Sequence, residues 1–210
     1  MNILLLGAGN MGSALAQQFV RAGHDVRIAA TTLEKAASVA ARIPGATAVD
    51  AAGSAAASDV IVVATPFDQA VKALKVAGPV DGKVVIDITN PLTADYMGLT
   101  IGHQTSAAEE IAKAVPNADV VKAFNTLFAQ VLAAGPSFAD SQTAPAFVAS
   151  DSERAKATAT ALIESIGFRP VDAGPLKNAR YLEPLAGLNI YFGYGAGQGT
   201  SIAPTWIRRD

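Results

Sequence analysis

The chain has 210 residues, of which 50% are apolar and only 16% charged, so one domain can bury a sizeable core. A net charge of -2 offers no basic face, so we expect neither a nucleic-acid nor a membrane partner. The absence of cysteine excludes disulfides, thiolate zinc sites and a cysteine nucleophile. No segment approaches the roughly 20 apolar residues of a membrane helix, and no signal peptide precedes the N-terminal apolar run, so we expect a soluble cytoplasmic protein.

In chain order, short runs of Val, Ile, Leu and Ala alternate with longer segments of helical apolar spacing. The predicted strands are Asn2–Leu6, Asp25–Ala30, Val60–Thr65, Val84–Ile88, Val120–Phe124, Ala146–Ala149 and Pro170–Asp172. The predicted helices are Asn10–Ala22, Leu33–Ile43, Phe67–Val76, Ser106–Ala114, Leu127–Ala133 and Ser152–Ile166. Gly23 fits the end of the first helix, the Thr31 to Glu34 spacing is typical of a capping box, and Ser152 suits a helix start.

This alternation predicts an α/β fold of the Rossmann type, with a doubly wound, mainly parallel sheet and helices on both faces. We expect a single NAD(P)-binding domain over residues 1–210, with a core of about 1–150 and a small C-terminal α+β extension of about 151–210. The apolar segment Leu182–Tyr194 predicts a buried helix or a dimer seam, and we expect a homodimer. The alternation of glycine and aromatics over Tyr191–Gly199 predicts an irregular, closely packed tail.

The first predicted strand runs directly into a G-x-G-x-x-G motif that opens a helix. In that context the motif indicates a dinucleotide site. Gly7 permits the tight turn, Gly9 lets the backbone approach the pyrophosphate, and Gly12 lets the helix pack on the strand. Asn10 and Met11 complete the motif, and the free N–H groups at the helix start would receive the phosphates.

The end of the second strand decides between NAD and NADP, because an acidic residue there would bind the ribose 2′-hydroxyl. This chain has no carboxylate in that place before Glu34. Thr31, Thr32 and Lys35 could instead hold a 2′-phosphate, although Thr31 could equally serve only as a helix cap and Lys35 could be solvated. The sequence therefore favours NADP(H) over NAD.

Three further strands end in polar or proline residues, and ligands of such sheets lie beyond the carboxyl ends of the strands. Thr65 and Pro66 follow the third strand, Asn90 and Pro91 follow the fourth, and Asn125 follows the fifth. The asparagine amides suit ribose hydroxyls or the nicotinamide carboxamide. The alternatives are strand termination for the prolines and a local turn for Asn90.

No acid–base pair is evident, so the catalytic residue is unknown from the sequence. His24 lies in a turn at the wrong end of the sheet, and we expect His103 to be a surface residue. No metal-ligand spacing is present, so we expect no metal. None of the four tyrosines is followed four residues later by lysine, which excludes the usual tyrosine–lysine carbonyl-reduction pair. A dinucleotide site without an acid indicates a hydride acceptor such as a flavin or deazaflavin, whose proton solvent can supply.

Two later segments carry a more specific resemblance. The Val171–Arg180 segment, with Asp-Ala-Gly-Pro-Leu followed by Ala-Arg, is similar to a segment of the NADP-dependent reductases of the deazaflavin coenzyme F420. The Val121–Thr126 segment, Val-Lys-Ala-Phe-Asn-Thr, is typical of the bacterial members. The whole chain resembles that family, which includes the reductase domains of six-transmembrane ferric reductases.

The resemblance implies hydride exchange between NADP(H) and coenzyme F420, with FMN or FAD as equally open acceptors. It places the acceptor against Asn125, Thr126 and Leu127, with Leu176 nearby. The family carries Ser-Arg in the 2′-phosphate loop, where this chain has Ala30-Thr31. That departure bears on both the NADP preference and the acceptor.

Two other classes of function remain open at this point. One is a small-substrate dehydrogenase or imine reductase, which would need a further helical domain or a dimer partner to complete its site. The other is a non-catalytic NADP(H)-binding or sensing module. NADPH oxidation with a flavin-type acceptor distinguishes these two from the reductase.

Overall fold

The computed structural model describes residues 1–207 and 209. Its strands are β1 Asn2–Leu6, β2 Asp25–Ala29, β3 Ala46–Ala48, β4 Val60–Val63, β5 Val84–Asp87, β6 Asp119–Ala123, β7 Pro145–Ala149 and β8 Arg169–Asp172. Its helices are α1 Asn10–Arg21, α2 Leu33–Ala40, α3 Phe67–Ala77, α4 Ala107–Ala114, α5 Ala129–Ala134, α6 Glu153–Ser165 and α7 Ala179–Ile190. Within the described residues, no helix is both long and apolar enough to cross a membrane.

The strands form one sheet in the order β3-β2-β1-β4-β5-β6-β7-β8. Neighbouring strands pair in parallel except β6 and β7, which are antiparallel. Because β8 pairs with β7 in the same sheet, the C-terminal part of the chain extends the sheet of the predicted core rather than standing apart from it. The sequence-based prediction of a Rossmann-type, mainly parallel sheet is confirmed.

Alternate residues of the strands face two separate cores, as the two-residue period of a strand requires. On one face Ile3 and Leu5 of β1 pack with residues of α1, α2, α5 and α6. On the other face Leu4 and Leu6 pack with residues of α3 and α4. All four side chains are essentially inaccessible to solvent. Coverage of both faces explains why the strands are nearly continuous apolar runs.

The second helix and the first edge strand differ from the prediction. The N-cap of α2 is Thr32 and not Thr31, because the Thr32 hydroxyl accepts the N–H of Lys35 at 3.3 Å. The helix ends at Ala40, before the predicted Ile43. The edge strand Ala46–Ala48 was not predicted, since three residues of Ala and Thr give too weak an apolar signal.

The C-terminal elements also differ in part. The strand β8 lies at the edge of the sheet, where Pro170 removes no ladder hydrogen bond that the fold needs. The last helix begins at Ala179 and continues into a π-helical turn over Tyr191–Gly195. The expected irregular tail therefore begins only after residue 195.

Candidate functional site

Three glycines shape the turn between β1 and α1, and their surroundings differ. Gly7 has a φ of 123°, and a Cβ there would lie 2.4 Å from the carbonyl oxygen of Ala64. A Cβ on Gly12 would lie 2.1 Å from the carbonyl oxygen of Gly7. A Cβ on Gly9 would have no atom within 4 Å. The protein's own backbone requires Gly7 and Gly12, whereas Gly9 leaves an open cradle at the start of α1.

The start of α1 fits a phosphate group. Gly9 is the N-cap residue, and no side chain among the described residues caps the helix. The N–H groups of the first turn point outward at the positive end of the helix dipole, which is a ready site for an anion. The open cradle and the uncapped helix start together accommodate the pyrophosphate of a dinucleotide.

The loop after β2 adjoins this turn, because the Gly7 N–H donates to the carbonyl of Ala29 at 2.8 Å. Thr31, Thr32 and Lys35 are all exposed there. Glu34 lies among them, and hydrogen bonds from its own backbone N–H and from the Thr32 hydroxyl lower its pKa. The loop thus presents hydroxyls and one ammonium, with an ionised carboxylate close by.

A cleft of about 1090 Å³ opens at the carboxyl ends of β4, β5 and β6, beside the start of α1. The predicted residues that line it are Gly9, Asn10, Met11, Thr65, Pro66, Asn90, Pro91, Asn125, Thr126 and Leu127. The predicted residues outside its lining are Gly7, Gly12, Thr31, Thr32, Lys35 and Leu176. Gly7, Gly12 and the α2 loop therefore lie at one end of the candidate site and the cleft at the other, with Gly9 lining the cleft between them.

Leu176 is the one predicted acceptor contact that the structure places elsewhere. It is buried in the core beneath α4, with Ile111 and Ala179. Its backbone N–H is held by the carboxylate of Asp151 at 3.1 Å. Leu176 does not line the cleft, because this residue packs inward where the chain turns into α7. Its contact with the acceptor stays a prediction.

Two asparagines form a reciprocal amide pair across the strand ends. The Asn90 side-chain amide donates to the carbonyl of Asn125 at 2.9 Å, and the Asn125 amide donates to Oδ1 of Asn90 at 2.9 Å. The Asn125 amide also donates to the carbonyl of Leu182 at 3.0 Å. Two acceptors on the same nitrogen set the orientation of the Asn125 side chain, so its Oδ1 faces away from both.

The chain reaches Asn125 through a backbone conformation that is rare for its residue type. Phe124 has a φ of 60° and is fully buried, with its ring edge-on to Phe19. A left-handed conformation costs about 1–3 kcal/mol for such a residue and persists only where the surroundings enforce it. This turn redirects the chain at the end of β6 and brings Asn125, Thr126 and Leu127 onto the cleft.

Three buried polar atoms in the cleft residues have no hydrogen-bond partner among the described residues: Thr89 Oγ1, Asn125 Oδ1 and Thr126 Oγ1. Leaving a buried polar atom unpaired costs about 1–3 kcal/mol each. All three residues line the cleft. A bound group with both donors and acceptors, such as a carboxamide, would satisfy them, so the residues present fit the nicotinamide end of a dinucleotide.

The helix α7 and the turn after it contribute a wall that sequence reasoning did not assign. Asn189 is buried, lines the cleft and donates to the carbonyl of Thr126 at 3.1 Å. Tyr194 packs edge-on against Phe128, with ring centroids 5.7 Å apart. The polar residue Asn189 in the otherwise apolar second half of α7 was the available signal.

A buried ion cluster of Asp87, Lys122 and Glu183 lies behind the cleft residues. The Lys122 ammonium is 2.6 Å from Asp87 Oδ2 and 2.8 Å from Glu183 Oε1, and all three side chains are almost fully buried. Burial raises the pKa of the Glu183 carboxyl, and the neighbouring Lys122 opposes that rise. Sequence reasoning missed this cluster, although a lysine inside an apolar strand was the signal. The register places Lys122 directly beside Asp87.

The described cleft lining contains four titratable side chains: Asp68, Asp95, Tyr96 and Tyr194. The Thr93 hydroxyl, at 2.5 Å, and the Met97 N–H hold the pKa of Asp95 below its usual value, so Asp95 stays ionised and is a poor proton donor. His24 and His103 both lie outside the lining. Within the described residues, no group of three or more His, Asp or Glu side chains could hold a metal ion.

The Val171–Arg180 segment secures α7 rather than lining the cleft. The guanidinium of Arg180 makes two hydrogen bonds to the carboxylate of Glu109 on α4, at 2.7 and 2.8 Å. Asn178 donates to the carbonyl of Ala173 at 2.6 Å. Arg180 and Asn178 therefore help to orient helix α7, which forms one wall of the site.

The chain is similar to proteins of one known family. Residues 2–91 match the model of a family described as NADP oxidoreductase, coenzyme F420-dependent. The chain is 29% identical over 181 residues to Metalloreductase STEAP3 of Rattus norvegicus, covering 86% of this chain and 35% of that protein. The chain thus spans about a third of the length of the metalloreductases that it matches.

Two solved structures are similar over most of the chain. One, from Arthrobacter sp. FB24 and provisionally named an F420-dependent NADP-reductase, has a TM-score of 0.87 and 29% identity, covering 99% of this chain and 100% of that chain. The other is a hypothetical protein from Sinorhizobium meliloti, with a TM-score of 0.76 and 32% identity, covering 84% of this chain and 86% of that chain. Over residues 2–91 the chain is therefore similar to the family of coenzyme F420-dependent NADP oxidoreductases.

Proposed function

We propose that this protein transfers a hydride between NADP(H) and a deazaflavin or flavin acceptor held in the cleft. The observation that carries the proposal is the cleft itself, which joins an uncapped helix start to a pocket lined by unpaired amide and hydroxyl groups. Its volume of about 1090 Å³ is slightly above the usual range of a small-molecule site, about 300–1,000 Å³. That space suits a nicotinamide ring together with a second ring.

The residues of the glycine turn would hold the cofactor at one end. Gly9, Asn10 and Met11 line the approach to the start of α1, where backbone N–H groups bind phosphate. Thr31, Thr32 and Lys35 would hold the 2′-phosphate. Thr65 and Pro66 border the route between these two ends.

The amide pair would hold the nicotinamide end. Asn125 Oδ1 and Thr89 Oγ1 are free to bind the carboxamide, while Asn90 and Pro91 border the same space. Thr126 and Leu127 would face the acceptor. Bound NADPH would supply the hydride, and these residues would hold its nicotinamide ring facing the ring of the acceptor.

The chemistry of the lining favours a ring acceptor over a ketone or imine. Reduction of a carbonyl or imine needs a proton donor beside the carbon that receives the hydride. The carboxylate of Asp95 stays ionised through its hydrogen bonds to Thr93 and Met97. A flavin or deazaflavin spreads the charge over its own ring system, so solvent can deliver the proton.

Two tyrosines keep a small-substrate enzyme as the second candidate. Tyr96 and Tyr194 both line the cleft and are more than half exposed, so either hydroxyl could reach a substrate carbonyl or imine. If the protein is such an enzyme, Tyr96→Phe or Tyr194→Phe abolishes turnover of that substrate. Under the flavin proposal the same variants retain most of their turnover.

The deciding experiment is NADPH oxidation by the purified protein with coenzyme F420, FMN and FAD in turn, and with NADH in place of NADPH as a control. Rapid turnover with one acceptor supports the proposal and identifies that acceptor. Tight NADPH binding without turnover on any of the three contradicts it. That result favours a sensing module, or a small-substrate enzyme to be sought among carbonyls and imines.

A further inference from the structure

Lys122 is unusual because it is a cation on an interior strand whose other buried residues are apolar. Its ammonium lies 2.6 Å from Asp87 Oδ2, 2.6 Å from the carbonyl of Thr89 and 2.8 Å from Glu183 Oε1. These acceptors occupy all three N–H donors of the ammonium. Lys122 itself is absent from the cleft lining. Lys122 can therefore affect the cleft only through the residues that bind its ammonium.

Two of those partners are sequence neighbours of residues that form or hold the amide pair: Thr89 precedes Asn90, and Glu183 follows Leu182. Asp87 Oδ1 accepts the N–H of Thr89 at 2.8 Å, so Thr89 is held at both its N–H and its carbonyl, directly before Asn90. Glu183 follows Leu182, whose carbonyl accepts the Asn125 amide. The buried ion cluster thus fixes the backbone next to both partners of the amide pair: at Thr89, which precedes Asn90, and at Glu183, beside the carbonyl that binds Asn125.

The ion cluster also binds the start of helix α4. Glu183 accepts the backbone N–H groups of Ala107 and Ala108 at the start of α4, at 2.9 and 3.3 Å. Burying an ammonium and two carboxylates removes them from water, and apolar side chains of similar size are often as stable in such places. Stability alone therefore does not account for the charges, whereas a requirement for fixed geometry does.

We propose that Lys122 is a positioning residue for the nicotinamide end of the cofactor. Through Asp87, Thr89 and Glu183 it fixes the distance and orientation of the Asn90–Asn125 pair. The inference rests on the proposed function only in placing the nicotinamide at this end of the cleft. The identity of the acceptor does not enter.

The test removes the charges while keeping side-chain size, in the variant Asp87→Asn, Lys122→Met, Glu183→Gln. Two ligands separate the ends of the site: adenosine 2′,5′-bisphosphate, which lacks nicotinamide, and NADPH, whose dihydronicotinamide fluorescence responds to immobilisation. Lys83→Met is the matched control, because Lys83 also binds a backbone carbonyl, that of Ser58 at 2.7 Å. Lys83 lies at the amino end of β5, away from the carboxyl ends where the cleft opens.

We expect the triple variant to bind the bisphosphate within about 3-fold of the unaltered protein but to lose the NADPH fluorescence change. Turnover at saturating NADPH should fall by about 10-fold to 100-fold, the usual cost of misplacing reacting groups by about 1 Å. The Lys83 control should change neither signal. Equal losses in the two ligands, or an unchanged NADPH signal, would overturn the proposal.

If circular dichroism shows that the triple variant is unfolded, Glu183→Gln alone provides the test. Glutamine keeps one oxygen for Lys122 and loses one acceptor for α4, so a smaller reduction of the NADPH fluorescence change is expected. An unchanged signal in this folded variant overturns the proposal. If the unaltered protein shows the NADPH signal but turns over no flavin-type acceptor, only the proposed acceptor fails and the positioning role stands.

Discussion

At the scale of single residues, the glycines of the turn between β1 and α1 serve different purposes: some are required by the fold, and another leaves room for a ligand. Gly12 is enclosed by the protein, and its missing Cβ makes room for the carbonyl of Gly7. Gly9 faces open space and has a φ of -82°, which any residue can adopt. The same chemical change at the two positions should therefore have different consequences.

We predict that Gly12→Ala lowers the free energy of unfolding by about 1–3 kcal/mol, the usual cost of forcing a methyl group into a packed site. Gly9→Ala should change it by no more than about 0.5 kcal/mol. Gly9→Ala should nevertheless weaken NADPH and NADH alike, because the methyl group occupies the phosphate cradle. Urea unfolding and calorimetric titration measure the two effects. Normal NADPH binding by the Gly9→Ala variant would show that the open space at Gly9 is not part of the cofactor site.

A second residue-scale prediction concerns the 2′-phosphate. If Lys35 contacts it, Lys35→Ala should weaken NADPH binding by about 1–2 kcal/mol, as expected for a charge-assisted contact, and barely affect NADH. Lys72→Ala, at another exposed lysine on α3, is the matched control. Titration of the unaltered protein and both variants with each of the two cofactors gives the answer. An equal loss for both cofactors would assign Lys35 a general role and leave the 2′-phosphate to other groups.

At the scale of elements, the wall of the cleft depends on how α7 is held against α4. The Glu109–Arg180 pair has two hydrogen bonds and is mostly shielded from solvent. The hydrogen bond from Arg180 is the main cause that lowers the pKa of Glu109 below its ordinary 4.5. A lowered carboxyl pKa in the folded state stabilises the protein above the unfolded value and loses that contribution as pH falls through the folded one.

We therefore predict that Glu109→Gln lowers the free energy of unfolding by about 1 kcal/mol at neutral pH. The difference from the unaltered protein should shrink as the pH falls below 4.5 and Glu109 becomes protonated. Urea titrations over that range measure it, with Glu164→Gln at an exposed position of α6 as the control. A difference that stays constant down to the acid limit would show that charge plays no part.

At the scale of the whole molecule, α7 has two unlike faces. Leu182 and Ala186 are buried, whereas Leu188 is 50% and Tyr191 53% exposed, and Tyr194 in the following turn is 59% exposed. An exposed apolar face of this kind is normally covered by a partner. Because this face adjoins the cleft, we propose that a second copy of the chain covers it.

A homodimer should appear as twice the chain mass in light scattering at micromolar concentration. Leu188→Glu should convert it to a monomer, since a carboxylate at the centre of an apolar interface is left without a partner. Lys113→Glu, at an exposed position of α4, provides a control for the added charge. A monomeric mass for the unaltered protein would remove the dimer from consideration.

The sequence by itself determined the α/β architecture and the glycine turn. Both depend on local patterns: apolar strands such as Val60–Val63, helices with starts such as Ser152, and glycines spaced to open a helix. It also located the strand-end residues that line the cleft, because the carboxyl ends of parallel strands meet at one edge. The NADP-dependent oxidoreductase class followed from the resemblance, and the family match over residues 2–91 agrees with it.

Only the tertiary structure decided which residues meet across long separations in the chain. Asn90 and Asn125 pair across two strands, and Glu183 reaches Lys122 from a helix about 60 residues further along. The tertiary structure also moved Leu176 into the core and placed Asn189 on the cleft. The direction of a side chain depends on how its helix packs on the sheet. The apolar residues of a segment such as 176–194 follow no single periodicity, so the sequence is compatible with more than one buried face. Local periodicity therefore located the site, while its inner geometry required contacts that no single segment encodes.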